Sequence, residues 1–192
     1  MASIAIVFHS GYGHTAAVAE SVRAGAAEVA GAAVTLIAVQ KDGSITEAEW
    51  AALDAADAIV FGAPTYMGGA SGPFKTFIDA TSKAWMKQAW KGKFAAGFTN
   101  SGSYAGDKLA TLLQFAILAG QQGMLWIPLG MMPGYNSSKG SVEDLNRTGH
   151  YIGLATQANV DQGADVAPPK ADHETAKAFG RHVAQTVVGF KG

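Results

Sequence analysis

Five short apolar runs, each followed by a segment whose apolar residues recur every three or four positions, constrain this 192-residue chain more than any other feature. The runs fall at about residues 3–8, 34–39, 58–62, 94–98 and 124–127. The helical patterns fall at about residues 14–30, 46–53, 71–84, 107–119 and 172–189. Parallel strands need long crossovers, and crossover helices cover both faces of the sheet, so the strands read as continuously apolar. The pattern therefore predicts an α/β fold, a doubly wound parallel sheet of five strands. Pro64, unable to donate to a ladder, is expected to end the third strand. Residues 130–170 are rich in Gly, Asn and Ser, show no periodicity and read as a long loop.

Composition limits the class of function. With 48% apolar and 15% charged residues and no repeat or linker, the chain is expected to form a single domain over residues 1–192. A net charge of −1 gives no basic footprint for nucleic acid. There is no cysteine, which removes disulfides, thiolate metal sites and Cys nucleophiles, and fits a cytoplasmic protein. No basic leader precedes the first run, and no apolar run reaches the roughly 20 residues that span a bilayer. No His/Asp/Glu set has metal spacing, and no Ser/His/Asp set has a catalytic context.

Two doubly wound strand orders satisfy the pattern, 2-1-3-4-5 and the Rossmann order, and both place ligands beyond the carboxyl ends of the strands. The segments after runs one, three and four are then the candidate site. Ser10-Gly11-Tyr12-Gly13-His14-Thr15 lies between a strand and a helix start. Free N–H groups and the positive end of the helix dipole attract an anion there. The hydroxyls of Ser10 and Thr15 suit a terminal phosphate better than a bridging pyrophosphate. Gly11-x-Gly13-x-x-Ala16 also matches a dinucleotide fingerprint, but Asp42 comes too late to be its ribose acid. After run three, Pro64-Thr65-Tyr66-Met67 and Gly68-Gly69 offer a foldable loop with flat, soft contact surface. After run four, Asn100-Ser101-Gly102-Ser103-Tyr104-Ala105-Gly106 is small, polar and glycine-rich. Three such loops side by side make a cradle: phosphate on the first, ring on the others. His150 and Tyr151, in the long loop, are further candidates for the ring face.

These three segments, above all Pro64 to Asp79, resemble the flavodoxin-like NAD(P)H:quinone oxidoreductases of the WrbA type, and the similarity covers nearly the whole chain. The resemblance implies the order 2-1-3-4-5 and FMN held without a covalent bond. Ser10 to Thr15 would take the phosphate, Pro64 to Met67 the ring, and Asn100 to Gly106 its other edge. It also implies that NAD(P)H and a quinone are the substrates. Tyr12, Trp85 and Gln122 would lie near them, with Trp85 reaching a neighbouring subunit's pocket. Gln121-Gln122 replaces a histidine pair of the family, and Tyr66 replaces a frequent arginine, which points to a different acceptor. The alternative is a flavodoxin-type electron carrier, which usually needs a more acidic surface for docking.

The fourth helical segment bears on assembly. Leu109, Leu112, Leu113, Ala116 and Ile117 form one apolar face, and Ala110, Phe115, Leu118 and Ala119 cover the other. A surface helix should be polar on one side. The expectation is a homo-oligomer, dimer or tetramer, with Phe115 and Leu118 in the subunit contact.

Overall fold

The computed structural model describes residues 1–191. Its sheet is built from β1 (Ala2–Phe8), β2 (Ala32–Ala38), β3 (Ala58–Tyr66), the short β4 (Gly69–Ala70), β5 (Phe94–Ser101), β6 (Leu125–Trp126) and β7 (Leu154–Gln157). Helices α1 (His14–Ala27) and α6 (Lys170–Lys191) cover one face. The other carries α2 (Glu47–Ala55), α3 (Gly72–Ala80), α4 (Ser82–Lys87) and α5 (Lys108–Gln121). β1 shows why its run is apolar throughout: Ile4, Ile6 and Phe8 enter the α1/α6 core, and Ala5 and Val7 enter the opposite one.

The strands run β2-β1-β3-β5-β6, all parallel, which is the flavodoxin-like order 2-1-3-4-5. The fifth position is shared. β6 pairs with Phe94 and Ala95 of β5, and β7 pairs further along with Phe98 to Ser101. The chain leaves the sheet after Trp126 and returns at Leu154, so the long loop interrupts one strand and then completes it. Trp126 Nε1 donates to Ile152 O at 2.7 Å and pins the return. Leu-Ala-Thr-Gln is too short and too polar to show as an apolar run, which is why β7 lies inside a segment read as loop.

Two boundaries differ from expectation for physical reasons. Pro64 does not end the third strand; it pairs with Asn100, and β3 continues to Tyr66. Its carbonyl accepts the Ser71 N–H at 3.2 Å on the side where β1 has already stopped. The missing N–H therefore falls on an unpaired edge, where proline is tolerated. The third helical segment breaks into α3 and α4 at Thr81. Its hydroxyl donates to Ile78 O at 2.6 Å, and its carbonyl also accepts Gln122 Nε2 at 3.2 Å.

α1 and α6 touch through their backbones. A Cβ at Gly25 would run into the Lys177 carbonyl, and one at Gly180 into the Val22 carbonyl. The pair fixes α1, and with it the turn that starts α1, against the sheet.

Candidate functional site

The turn between β1 and α1 places an array of donors at a helix start. Gly13 is the N-cap, with φ 93°, and supplies no side-chain cap. Ser10 Oγ takes over that role, accepting the N–H of Gly13 at 3.1 Å and of Ala16 at 3.2 Å. Among the described residues, the N–H groups of Gly11, Tyr12, His14 and Thr15 have no protein acceptor. Both Ser10 lone pairs are used by these amides, so its proton is left to donate outward. Thr15 is buried beside it. A dianion placed there would meet four backbone donors, two hydroxyls and a helix dipole. His14 Nε2 donates to Gln162 O at 2.7 Å and ties the 158–166 segment to the turn.

After β3 the chain folds back at once. Thr65 and Tyr66 pair with Ala70 and Gly69, with Met67 (φ 48°) and Gly68 (φ 82°) at the two turn positions. That is the turn whose twist suits a two-residue hairpin. Met67 is fully exposed at the tip. Tyr66 leans over the turn of residues 10–15: a Cβ at Gly11 would stand 2.6 Å from its hydroxyl oxygen. Tyr12 meets it edge-on, ring centroids 6.4 Å apart. Thr65 turns the other way. Its hydroxyl is bonded to those of Thr99 and Thr111, 2.7 Å each, inside the protein. Thr65 therefore offers only its backbone to a ring.

The loop after β5 lies on a buried polar network. Lys108, the first residue of α5, is fully buried and donates to Ser101 Oγ (3.0 Å), Ser103 O (2.9 Å) and Tyr104 O (2.8 Å). Behind it Arg147 grips Asp172 through two bonds of 2.7 and 3.0 Å. Asp172 also accepts the Gln157 N–H at 2.8 Å. Tyr104 closes the network: its hydroxyl donates to Arg147 O at 2.6 Å, and the guanidinium sits 5.2 Å from its ring centre. Burial pushes the Lys108 ammonium down to about 8, since the attraction of Asp172 is opposed by Arg147. Arg147 is raised, chiefly by its hydrogen bonds to Asp172. His150 lies partly buried beside this network, its imidazole lowered by burial and then by Lys108, and bonded to Thr148 Oγ1 at 3.2 Å. Tyr151 is exposed.

A cavity of about 640 Å³ connects these parts. Tyr12, His14 and Thr15 line it from the turn, Pro64 and Tyr66 from β3, and Asn100, Ser101 and Gly102 from β5. Ala158, Val160, Asp161 and Gln162 complete the wall. Sequence reasoning missed that last group, because β7 hid in aperiodic sequence. Ser103, Tyr104 and Ala105 rise beyond the cavity as an exposed rim. Trp85 and Gln122 lie elsewhere. They border a groove of about 800 Å³ between α3–α4 and α5. Gln122 is buried there with Nε2 on Thr81, and among the described residues its Oε1 has no partner. Lys108, Arg147 and Asp172 were also missed. The only hint was a lysine opening an otherwise apolar helix.

A doubly wound sheet with a phosphate-ready helix start and a ring-sized cavity at the carboxyl edge defines a flavodoxin-like mononucleotide protein. Residues 12–134 match the NADPH-dependent FMN reductase family. The chain is 43% identical over 185 residues to flavodoxin FldP of Pseudomonas aeruginosa, covering 96% of each. It is 34% identical over 200 residues to an NAD(P)H dehydrogenase (quinone) of Aromatoleum aromaticum, covering 95% and 94%. A crystal structure of a flavodoxin, WrbA-like protein from Agrobacterium tumefaciens superposes with a TM-score of 0.79 at 41% identity, covering 98% and 99%. The chain belongs to the NADPH-dependent FMN reductase family, and it is an FMN oxidoreductase.

Proposed function

We propose that this protein is an NAD(P)H:quinone oxidoreductase, acting through one FMN held at the carboxyl edge of its sheet. The observation that carries the reading is the turn of residues 10–15, with two hydroxyls and four amides that have no acceptor among the described residues, at the start of α1. Those groups would hold the phosphate. Tyr66, the Pro64 region and Asn100 to Gly102 would border the ring, and residues 158–162 would close its outer side. Bound FMN supplies the hydride acceptor and the electron donor. The chain's own groups bind, orient and shield; no side-chain acid or base in the cavity is needed for hydride transfer. Tyr12 is 80% exposed beside the cavity and offers a flat face to a nicotinamide or quinone.

Residues 1–192 would act as one FMN-binding unit in the cytoplasm, and copies of it would associate. Phe115 and Leu118 are core residues, so they are not the contact that the sequence suggests. The exposed apolar stripe on α5 is Leu109, Leu113 and Ile117, with half-exposed Trp85 across the groove. That face supports a dimer or tetramer in which Trp85 and Gln122 lie at a subunit boundary. Ile117→Glu with Leu113→Glu should leave each subunit folded and dissociate the assembly, read by light scattering.

The deciding experiment is anaerobic. The purified protein should carry FMN, bleach with NADPH or NADH, and recolour with a quinone in parallel-line, ping-pong kinetics. A flavodoxin-type carrier, favoured by the likeness to FldP, would hold FMN and fail to turn over with any quinone.

A further inference from the structure

Lys108 is placed against three ordinary preferences. Its ammonium is fully buried. All three of its acceptors are neutral, two carbonyls and a hydroxyl. It also opens α5, where the helix dipole disfavours a cation. The nearest buried carboxylate, Asp172, is already held by both donors of Arg147. Lys108, Arg147 and Asp172 together therefore leave one positive charge without a counter-charge in the interior, an arrangement that costs stability unless something offsets it. The loop between this charge and solvent has a defined polarity. The carbonyls of Ser103 and Tyr104 point at the ammonium. In a planar trans peptide the N–H points opposite to the C=O, so the amides of Tyr104 and Ala105 point away from Lys108. Among the described residues, neither amide has a protein acceptor.

We propose that Lys108 is a positioning residue for the reduced cofactor: its buried ammonium polarises the peptides of the 101–106 loop, so that their outward amides favour the negative charge a bound ring gains on reduction. The inference rests on FMN lying as assigned above and on its ring edge reaching past Gly102 to the exposed rim of Tyr104 and Ala105. Hydride transfer from NAD(P)H carries two electrons and one proton to the ring, releases NAD(P)⁺, and leaves the ring with one more negative charge. An oxidised, neutral ring draws little from this field. Lys108 thus separates the two redox states, where the phosphate turn treats them alike.

The test uses the holoprotein. The dissociation constant of oxidised FMN is measured by fluorescence, and the two-electron potential is measured against a reference dye. Lys108→Met should lower the affinity for reduced FMN at least tenfold more than for oxidised FMN, a fall in potential of about 30 mV. Lys108→Gln keeps donors for the carbonyls and should shift the potential the same way, so a purely structural staple is separated from a charge. Equal weakening of both forms, or an unchanged potential, overturns the proposal. Wild-type protein that binds no FMN would instead refute the site assignment itself.

A second readout needs no variant. The groups facing the Lys108 ammonium are Asp172, Arg147, His150 and Tyr104, and Asp107 precedes it outside. Burial lowers the Lys108 ammonium to about 8, and the new negative charge should raise it again. Across the range where this lysine titrates, reduction should therefore take up more than one proton per two electrons. A Lys108 titration that does not move between the oxidised and reduced forms counts against the proposal.

Discussion

The two glycine- and serine-rich loops that flank the cavity look alike in sequence and are built on different physics. The turn of residues 10–15 takes its donors from neighbours in the chain: helix-start amides, Ser10 and Thr15. Its field is a helix dipole with neutral hydroxyls, suited to a phosphate whose charge is constant. The 101–106 loop takes its field from below, from Lys108, Arg147 and Asp172, which are brought together across three elements of the fold. Local donors would make a grip for a fixed charge. A buried charge network would make a site that responds to a change of charge, at a cost in stability that the turn does not carry.

The largest effect should come from breaking the network. Arg147→Ala removes both bonds to Asp172 and leaves a buried carboxylate unpaired, which should cost about 3–5 kcal/mol in denaturant unfolding. A loss below 1 kcal/mol would mean that the loop is not built on that pair. The matching test of the turn is Ser10→Ala with Thr15→Val. FMN binding should weaken by about 3 kcal/mol, more than a hundredfold, equally for the oxidised and reduced forms. A redox-dependent loss there would erase the contrast between the loops.

A smaller effect should appear as pH dependence. Lys108 is held near 8 in the folded protein against 10.5 ordinarily. Between those values the unfolded chain binds more protons, so stability should rise as pH goes from 8 to 10.5. The stability of the wild type relative to Lys108→Met should increase over that window by up to about 3 kcal/mol. A flat difference would show that the ammonium is better solvated than its burial indicates. The smallest effect is a control far from both loops. Thr46 caps α2 reciprocally with Glu49. Thr46→Ala should cost about 1 kcal/mol in unfolding and leave FMN affinity unchanged.

Legibility in the sequence follows the same division. Most of β1 and of the first five residues of β3 and of β5 are buried on both faces between the two helix layers, so they are apolar and the runs are plain. The turn of residues 10–15 is legible because its donors are contiguous. Pro64 misleads because the rule against proline applies to a paired edge, and only the early end of β1 leaves that edge free. β7 is four residues long and gets its stability from pairing with β5, so nothing in its own composition marks it as a strand. Phe115 and Leu118 show the limit of helix periodicity: two apolar faces were visible, but which one meets the sheet depends on how α5 is rotated.

The alternation of the main strands and helices, the covered sheet and the donor-rich turn of residues 10–15 were thus legible in the sequence alone, because each depends on neighbouring residues and on burial that leaves a compositional mark. Tertiary structure alone decided that residues 158–162 wall the cavity and that Thr65 hides its hydroxyl. It also decided that Trp85 and Gln122 face a separate groove, and that Lys108 stands beneath the loop of residues 101–106. Those outcomes depend on contacts between residues up to about 150 positions apart, such as His14 with Gln162. Polar partners held at such a separation leave no periodic trace, since a hydrogen bond constrains where two groups meet and not which residues lie between them.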